Sequence, residues 1–177
     1  MAEADALPAT VSEQGAGLFA DPLTDRIAGF ILAIGIVIER TTLDAPTPCP
    51  GVDARRGVLL VDEAGLAYPG DLLHDAGHIA VCDPAQRGTL EAIGDDGGEE
   101  MAALAWSYAA GRWLGLDPTV VFHPAGYRGG AESLIAAFEA HGGVGVPMLE
   151  WFGMTLGPKS AAVQGAEPFP HMSRWLR

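Results

Sequence analysis

The sequence is poor in cysteine and has no long hydrophobic run. Its two cysteines, Cys49 and Cys82, lie far apart and form no C-x-x-C pair, so we expect neither a disulfide framework nor a thiolate zinc finger. The longest apolar run, from Ala28 to Ile38, is well short of the ~20 residues that cross a bilayer. No basic residue and no apolar stretch precedes Leu7, which argues against a secretory signal. We therefore expect a soluble, cytoplasmic protein.

Positive charge is also scarce. Ten Lys and Arg residues stand against 23 Asp and Glu residues, which gives a formal net charge of -13. Such a surface repels phosphate backbones and anionic lipids, so we expect no nucleic acid and no membrane as partner. A peptide or a small molecule is the expected substrate, and a homo-oligomer is left open. Hydrophobic residues make up 49% of the 177-residue chain, which is enough for the core of one domain.

The residue pattern predicts a mostly helical α+β domain that follows a flexible arm. Residues 1–20 show no periodicity and are assigned to the arm, and residues 21–177 to a single domain. Apolar residues at helical spacing predict one long helix that opens at Asp21-Pro22 and runs to Ile38. Proline and glycine break regular structure between Thr41 and Arg56, and the β-branched run from Gly57 to Glu63 predicts a short strand.

Three further helices are predicted downstream of that strand. They run from Leu72 to Cys82, with Asp71 as the N-cap, from about Glu99 to Trp113, and from Ala131 to Ala140. Acidic residues open the second of these helices, where they favour the helix dipole. The order of elements therefore places a strand, a histidine-containing helix and an acidic helix start in succession.

A pair of histidines marks the candidate functional site. His74 and His78 are four residues apart in the segment His74-Asp75-Ala76-Gly77-His78, so on a helix they share one face and can bind one metal ion. Neutral imidazole suits Zn²⁺ and Fe²⁺, and a third protein ligand would leave positions open for water or substrate. Glu99 and Glu100 both offer that ligand, and we favour Glu100 because its face continues inward at helical spacing.

The segment resembles the gluzincin metallopeptidases, above all their minimal bacterial members. In that family an H-E-x-x-H helix supplies two zinc-binding histidines, and the following helix supplies a glutamate ligand. The resemblance implies a zincin-like domain with a small sheet beside the metal-binding helix. It also implies a zinc-dependent hydrolase of amide or peptide bonds, with zinc held by His74, His78 and Glu100.

The sequence departs from the family at Asp75. Gluzincins have a glutamate at this position, and it acts as the general base of the reaction. Aspartate has the same acid chemistry but is one methylene shorter, so its carboxylate lies farther from the reacting atoms. The resemblance assigns the general base to Asp75 or to a hydroxide on the metal.

The loop from Phe122 to Gly130 is the second candidate region. A His, a Tyr and an Arg in one loop suit a substrate-facing wall. His123 or Tyr127 could donate a hydrogen bond to a developing oxyanion, and Arg128 could pair with a substrate carboxylate. An ordinary polar turn would have the same composition.

Two other functions use the same residues. Two histidines and one carboxylate also form the Fe(II) site of oxygen-activating enzymes. The domain could instead be a degenerate, non-catalytic peptidase-like module that binds a partner. Cys82 extends the histidine face by one more turn, and we expect it to be a buried core thiol.

Overall fold

The described part of the chain begins at Gly17. The computed structural model describes residues 17–89, 91, 97–140 and 142–177, so residues 1–16 of the predicted arm lie outside the described residues. Gly17, Leu18 and Phe19 donate backbone hydrogen bonds of 3.0, 2.8 and 3.0 Å to the carboxylate of Asp25. Phe19 is buried, so residues 17–20, although predicted as arm, contact the domain.

The first helix, α1, spans Pro22–Ala33. Asp21 caps it and accepts a 2.8 Å hydrogen bond from the backbone N–H of Thr24, as the Asp-Pro pair predicts. The chain then turns at Gly35, whose φ is +94°, and continues as strand β1, Val37–Arg40. The prediction of one helix to Ile38 is therefore wrong, because a positive-φ glycine ends the helix and the β-branched run after it forms a strand.

The described residues form a three-stranded sheet with the order β1-β3-β2. Strand β2 (Val52–Arg55) pairs antiparallel with β3 (Val58–Val61), and β1 pairs parallel with β3. Arg56 and Gly57 form the two-residue turn between β2 and β3. Their φ angles are +51° and +76°, and this type of hairpin turn requires positive φ at both positions. The predicted strand is confirmed as β3, whereas β2 lies in a stretch predicted to be irregular.

The remaining helices follow the sheet. They are α2 (Asp71–Val81), α3 (Pro84–Arg87), α4 (Gly97–Trp113), α5 (Pro118–Val121), a 3-10 turn (Tyr127–Gly129), α6 (Ala131–Glu139), α7 (Val146–Trp151) and α8 (Pro158–Gln164). The three helices predicted downstream of the strand are confirmed as α2, α4 and α6. Gly70, rather than Asp71, occupies the N-cap of α2.

The core is centred on the packing of α2 against α4. α1 and strands β2 and β3 also contact α2, so the small sheet lies beside the histidine helix, as predicted. Trp106 of α4 is fully buried, and its Nε1–H donates a 2.9 Å hydrogen bond to the carbonyl of Trp175. The protein is a mostly helical α+β domain. In the described part of the chain, no helix combines the length and apolar character that a membrane span requires.

Candidate metal centre

Gly77 sets the distance between the two helices that form the site. A Cβ atom at this position would lie 3.0 Å from the carbonyl oxygen of Ala103 and 3.3 Å from Cε3 of Trp106. These distances are tighter than ordinary van der Waals contact, so the absent side chain lets α2 approach α4 closely. The histidines of α2 thereby face the first turn of α4, where Glu100 lies.

The Glu100 carboxylate lies between the two imidazoles. Its Oε1 is 3.4 Å from His74 Nε2, and its Oε2 is 3.0 Å from His78 Nε2. One donor atom from each residue can be chosen so that all three lie within 4.8 Å of one another. Zinc bonds of ~2.0–2.1 Å in a tetrahedron separate neighbouring ligand atoms by about 3.3 Å. The three side chains therefore fit a zinc-sized ion.

The site is buried on the histidine side and open on the carboxylate side. The His78 side chain is 7% exposed and that of His74 is 13% exposed, whereas the Glu100 side chain is 46% exposed. Hydrogen bonds from His74, which has the larger effect, and from His78 hold the pKa of Glu100 well below its usual range. The carboxylate is thus ionised at neutral pH and accessible to solvent.

Glu99, the alternative third ligand, faces another part of the molecule. Its Oε1 lies 4.0 Å from Nη1 of Arg177, near the last turn of α2, where the backbone N–H of Arg177 donates to the carbonyl of Ala80. Of the two adjacent glutamates, Glu100 is the one that contacts both histidines.

Asp75 contacts the nitrogen of His74 that faces away from Glu100. Its Oδ1 lies 3.2 Å from His74 Nδ1, and the residue is 4% exposed. Burial alone would lower the pKa of His74, but hydrogen bonds with Asp75, Cys49 and Glu100 outweigh burial and hold it well above its usual value. The position predicted to hold a general base is therefore occupied by a buried carboxylate that pairs with a candidate ligand.

Cys49 completes the surroundings of His74. Its Sγ lies 3.9 Å from His74 Nδ1, and its carbonyl accepts hydrogen bonds from Thr47 Oγ1 at 2.7 Å and from the backbone N–H of Val52 at 3.2 Å. Burial raises the pKa of the Cys49 thiol to about 11, so the thiol is protonated at neutral pH. No sequence pattern predicts this contact, because the loop that carries Cys49 has no periodicity.

Cys82 is the cysteine that the helical spacing placed near the site. It is buried, as expected of a core thiol, and its Sγ donates to the carbonyl of Asp83 at 3.6 Å.

His123 and Asp71 form a buried pair one helical turn before His74. His123 Nε2 lies 3.1 Å from Asp71 Oδ1, and the His123 ring stacks on Tyr68 with centroids 3.7 Å apart. Burial raises the pKa of Asp71, although the hydrogen bond with His123 opposes this shift. The buried Nδ1 of His123 has no hydrogen-bond partner among the described residues. His123 is thus attached to α2 through Asp71, one helical turn before His74.

Tyr127 brings the predicted substrate loop next to the histidines. Its ring centroid lies 6.0 Å from that of His74, and its hydroxyl donates a 3.2 Å hydrogen bond to the carbonyl of Val121. Burial raises the pKa of this phenol. Tyr127 and the exposed Arg128 have positive φ angles of 55° and 50°, an arrangement that is costly for residues other than glycine. The loop is therefore strained where it adjoins the site.

The chain was compared with models of known protein families, with curated proteins and with solved structures, and nothing matched it.

Proposed function

We propose that the protein is a metal-dependent hydrolase that binds zinc through His74, His78 and Glu100 and acts on an amide or peptide bond. The observation that carries this proposal is the Glu100 carboxylate, which lies 3.0 and 3.4 Å from the Nε2 atoms of His78 and His74. Two imidazoles and one carboxylate are the donor set of gluzincin-type catalytic zinc sites. The order of these residues, two histidines on one helix and a glutamate on a later helix, is that of the family which the sequence resembles.

The three ligands have distinct tasks. Bound zinc supplies a Lewis acid and lowers the pKa of water to about 7. His74 and His78 offer imidazole nitrogens from a buried helix face, and Glu100 adds one negative charge. Because Glu100 is 46% exposed, a substrate can approach on its side of the site.

In this proposal Asp75 positions His74. Its carboxylate accepts the Nδ1 hydrogen of His74, which fixes the tautomer whose Nε2 lone pair faces Glu100. Such carboxylate-histidine pairs orient metal ligands and raise their basicity. This geometry supports metal binding more directly than it supports the role of Asp75 as a general base.

The loop beside the histidines supplies the wall of the substrate site. Tyr127 packs against His74, and Arg128 is exposed next to it. An exposed guanidinium can bind a substrate carboxylate through two hydrogen bonds, so a peptide with a free C-terminal carboxylate fits this side. His123 holds the start of the loop to α2 through Asp71.

Elemental analysis tests the proposed metal site. We expect one zinc per chain after aerobic and anaerobic purification, and loss of zinc in His74→Ala, His78→Ala and Glu100→Ala. Glu99→Ala is the matched control and should keep the metal. Iron in place of zinc would support the oxygen-activating alternative. If no metal co-purifies and added zinc leaves the melting temperature unchanged, the proposal is wrong.

A fluorogenic peptide library tests the activity. Zinc-loaded protein should cleave some members, and His78→Ala should not. Full zinc occupancy without cleavage of peptides or simple amides would favour the non-catalytic binding module.

A further inference from the structure

The His74 ring is shared by two groups of potential metal ligands. On its Nε2 side lie Glu100 and His78, and on its Nδ1 side lie Asp75 and Cys49. Each group offers three donor atoms that lie within 4.8 Å of one another. We call the first the nitrogen-carboxylate site (His74, His78, Glu100) and the second the thiol site (Cys49, His74, Asp75).

The geometry of the thiol site also suits a metal ion. Zn–S bonds of about 2.3 Å and Zn–N bonds of about 2.0–2.1 Å in a tetrahedron separate sulfur and nitrogen by about 3.6 Å. Cys49 Sγ lies 3.9 Å from His74 Nδ1, so a shift of a few tenths of an ångström would suffice. Asp75 Oδ1, 3.2 Å from the same nitrogen, supplies a third donor.

We propose that Cys49, His74 and Asp75 form a second metal site, selective for thiophilic ions, which is occupied in competition with the nitrogen-carboxylate site. The competition rests on the proposed function, because it requires the first site to bind zinc through His74. A neutral imidazole carries one N–H and one lone pair, so His74 can coordinate through one nitrogen at a time.

Each carboxylate can accept the imidazole hydrogen in one of the two states. When Nε2 coordinates, the hydrogen is on Nδ1 and is donated to Asp75. When Nδ1 coordinates, the hydrogen is on Nε2, where Glu100 Oε1 at 3.4 Å accepts it. The alternative state therefore leaves neither nitrogen without a partner.

The chemistry of sulfur sets the selectivity. A divalent ion that binds Cys49 displaces the thiol proton to solvent and forms a metal-sulfur bond, and no oxidant is needed. Thiolate ligands favour soft ions over Mg²⁺, Ca²⁺ and Mn²⁺. Cys49 is partly buried, and a half-buried thiol beside a histidine gives such ions a site that the gluzincin pattern does not include.

Cadmium absorption tests the thiol site. We expect Cd²⁺ to produce a sulfur-to-metal charge-transfer band in the near ultraviolet, with one Cd²⁺ per chain at saturation. Cys49→Ser should abolish the band, whereas Cys82→Ser, which changes the other free cysteine, should keep it. His78→Ala should also keep the band, because it disables the other site alone, and so should Glu100→Gln, because the amide oxygen of glutamine can still accept the Nε2 hydrogen of His74. Loss of the band in Cys82→Ser, or its persistence in Cys49→Ser, would overturn the proposal.

Zinc competition tests the exclusion without any variant of the thiol site. Excess Zn²⁺ should reduce the cadmium band of the wild-type protein at least tenfold and should reduce it far less in His78→Ala. A band that zinc leaves unchanged in the wild-type protein would disprove competition. If the band forms as expected but the wild-type protein binds no zinc, the proposed function fails and the thiol site stands.

Discussion

The Asp75 carboxylate lies 3.2 Å from Nδ1 of His74, on the opposite side of the ring from Glu100. The side chains of neighbouring residues in a helix normally point in different directions and do not face each other. Here the short side chain turns back to its neighbour and is buried at 4% exposure. Aspartate is one methylene shorter than the glutamate of the gluzincin motif. The shorter side chain is less suited to a general base, but it suits a carboxylate that contacts the ring of the adjacent histidine.

Asp75→Asn separates the two roles of this carboxylate. If Asp75 positions His74, zinc affinity should fall by about 10–100-fold, the usual effect of losing such a partner. Competition with a chromophoric chelator measures that affinity. The control is Asp71→Asn, which removes another buried carboxylate of α2 that contacts His123 instead and should leave zinc affinity within about twofold. Unchanged zinc affinity with lost turnover in Asp75→Asn would restore the general-base role.

Gly77→Ala tests the close approach of α2 and α4. The added Cβ would press on the backbone of Ala103 at 3.0 Å, so we expect the helices to separate by a few tenths of an ångström and zinc affinity to fall several-fold. Isothermal titration calorimetry measures the change. Gly111→Ala is the control, since its Cβ would meet a Val121 methyl at 3.1 Å and this side chain can move. Equal zinc affinities for the two variants would show that helix spacing does not tune the site.

The strained loop gives a prediction about stability. Arg128 has a φ of +50°, a conformation that costs a residue with a Cβ about 1–2 kcal/mol. Arg128→Gly should therefore have a free energy of unfolding about 1 kcal/mol higher than Arg128→Ala. Both variants lose the guanidinium, so their difference isolates the backbone. Chemical denaturation provides the measurement, and equal stabilities would mean that the loop relaxes its backbone in solution.

Asp25 predicts how stability responds to acid. Backbone hydrogen bonds from Gly17, then Phe19 and Leu18, lower the pKa of its carboxyl from a reference value of 3.8. Because this pKa is lower in the folded state, the ionised Asp25 carboxylate stabilises the fold above about pH 3.8. This stabilisation is lost as the pH falls through the pKa of the folded state. Asp25→Asn should therefore lower the melting temperature at pH 6, and the gap to wild type should narrow below pH 4. A gap that does not depend on pH would contradict this.

The elements that depend on local pattern could be predicted from the sequence, and those that depend on contacts between distant residues could not. Four-residue spacing was enough to place His74 and His78 on one face. Local pattern does not decide between Glu99 and Glu100, because the choice depends on which face of α4 packs against α2, and that packing is a contact between distant parts of the chain.

Cys49 could not be placed from local signals. Its position depends on Gly51, whose φ is +81° and whose Cβ would overlap the backbone of Leu66. Cys49 lies two residues before this close approach, and its Sγ lies 3.9 Å from His74 Nδ1. The sequence pattern likewise predicts Asp71 to be a helix cap, whereas its carboxylate is buried against His123, which comes from a loop far along the chain.

Trp175 and Arg177 contact the two helices that carry the site. Trp175 accepts the hydrogen bond of the Trp106 indole, and Arg177 donates its backbone N–H to Ala80 at 3.0 Å. During synthesis, α2 and the start of α4 therefore emerge from the ribosome long before Trp175 and Arg177. All the metal donors lie in the first 100 residues, so a nascent chain contains every donor before the residues that make these two contacts have been translated.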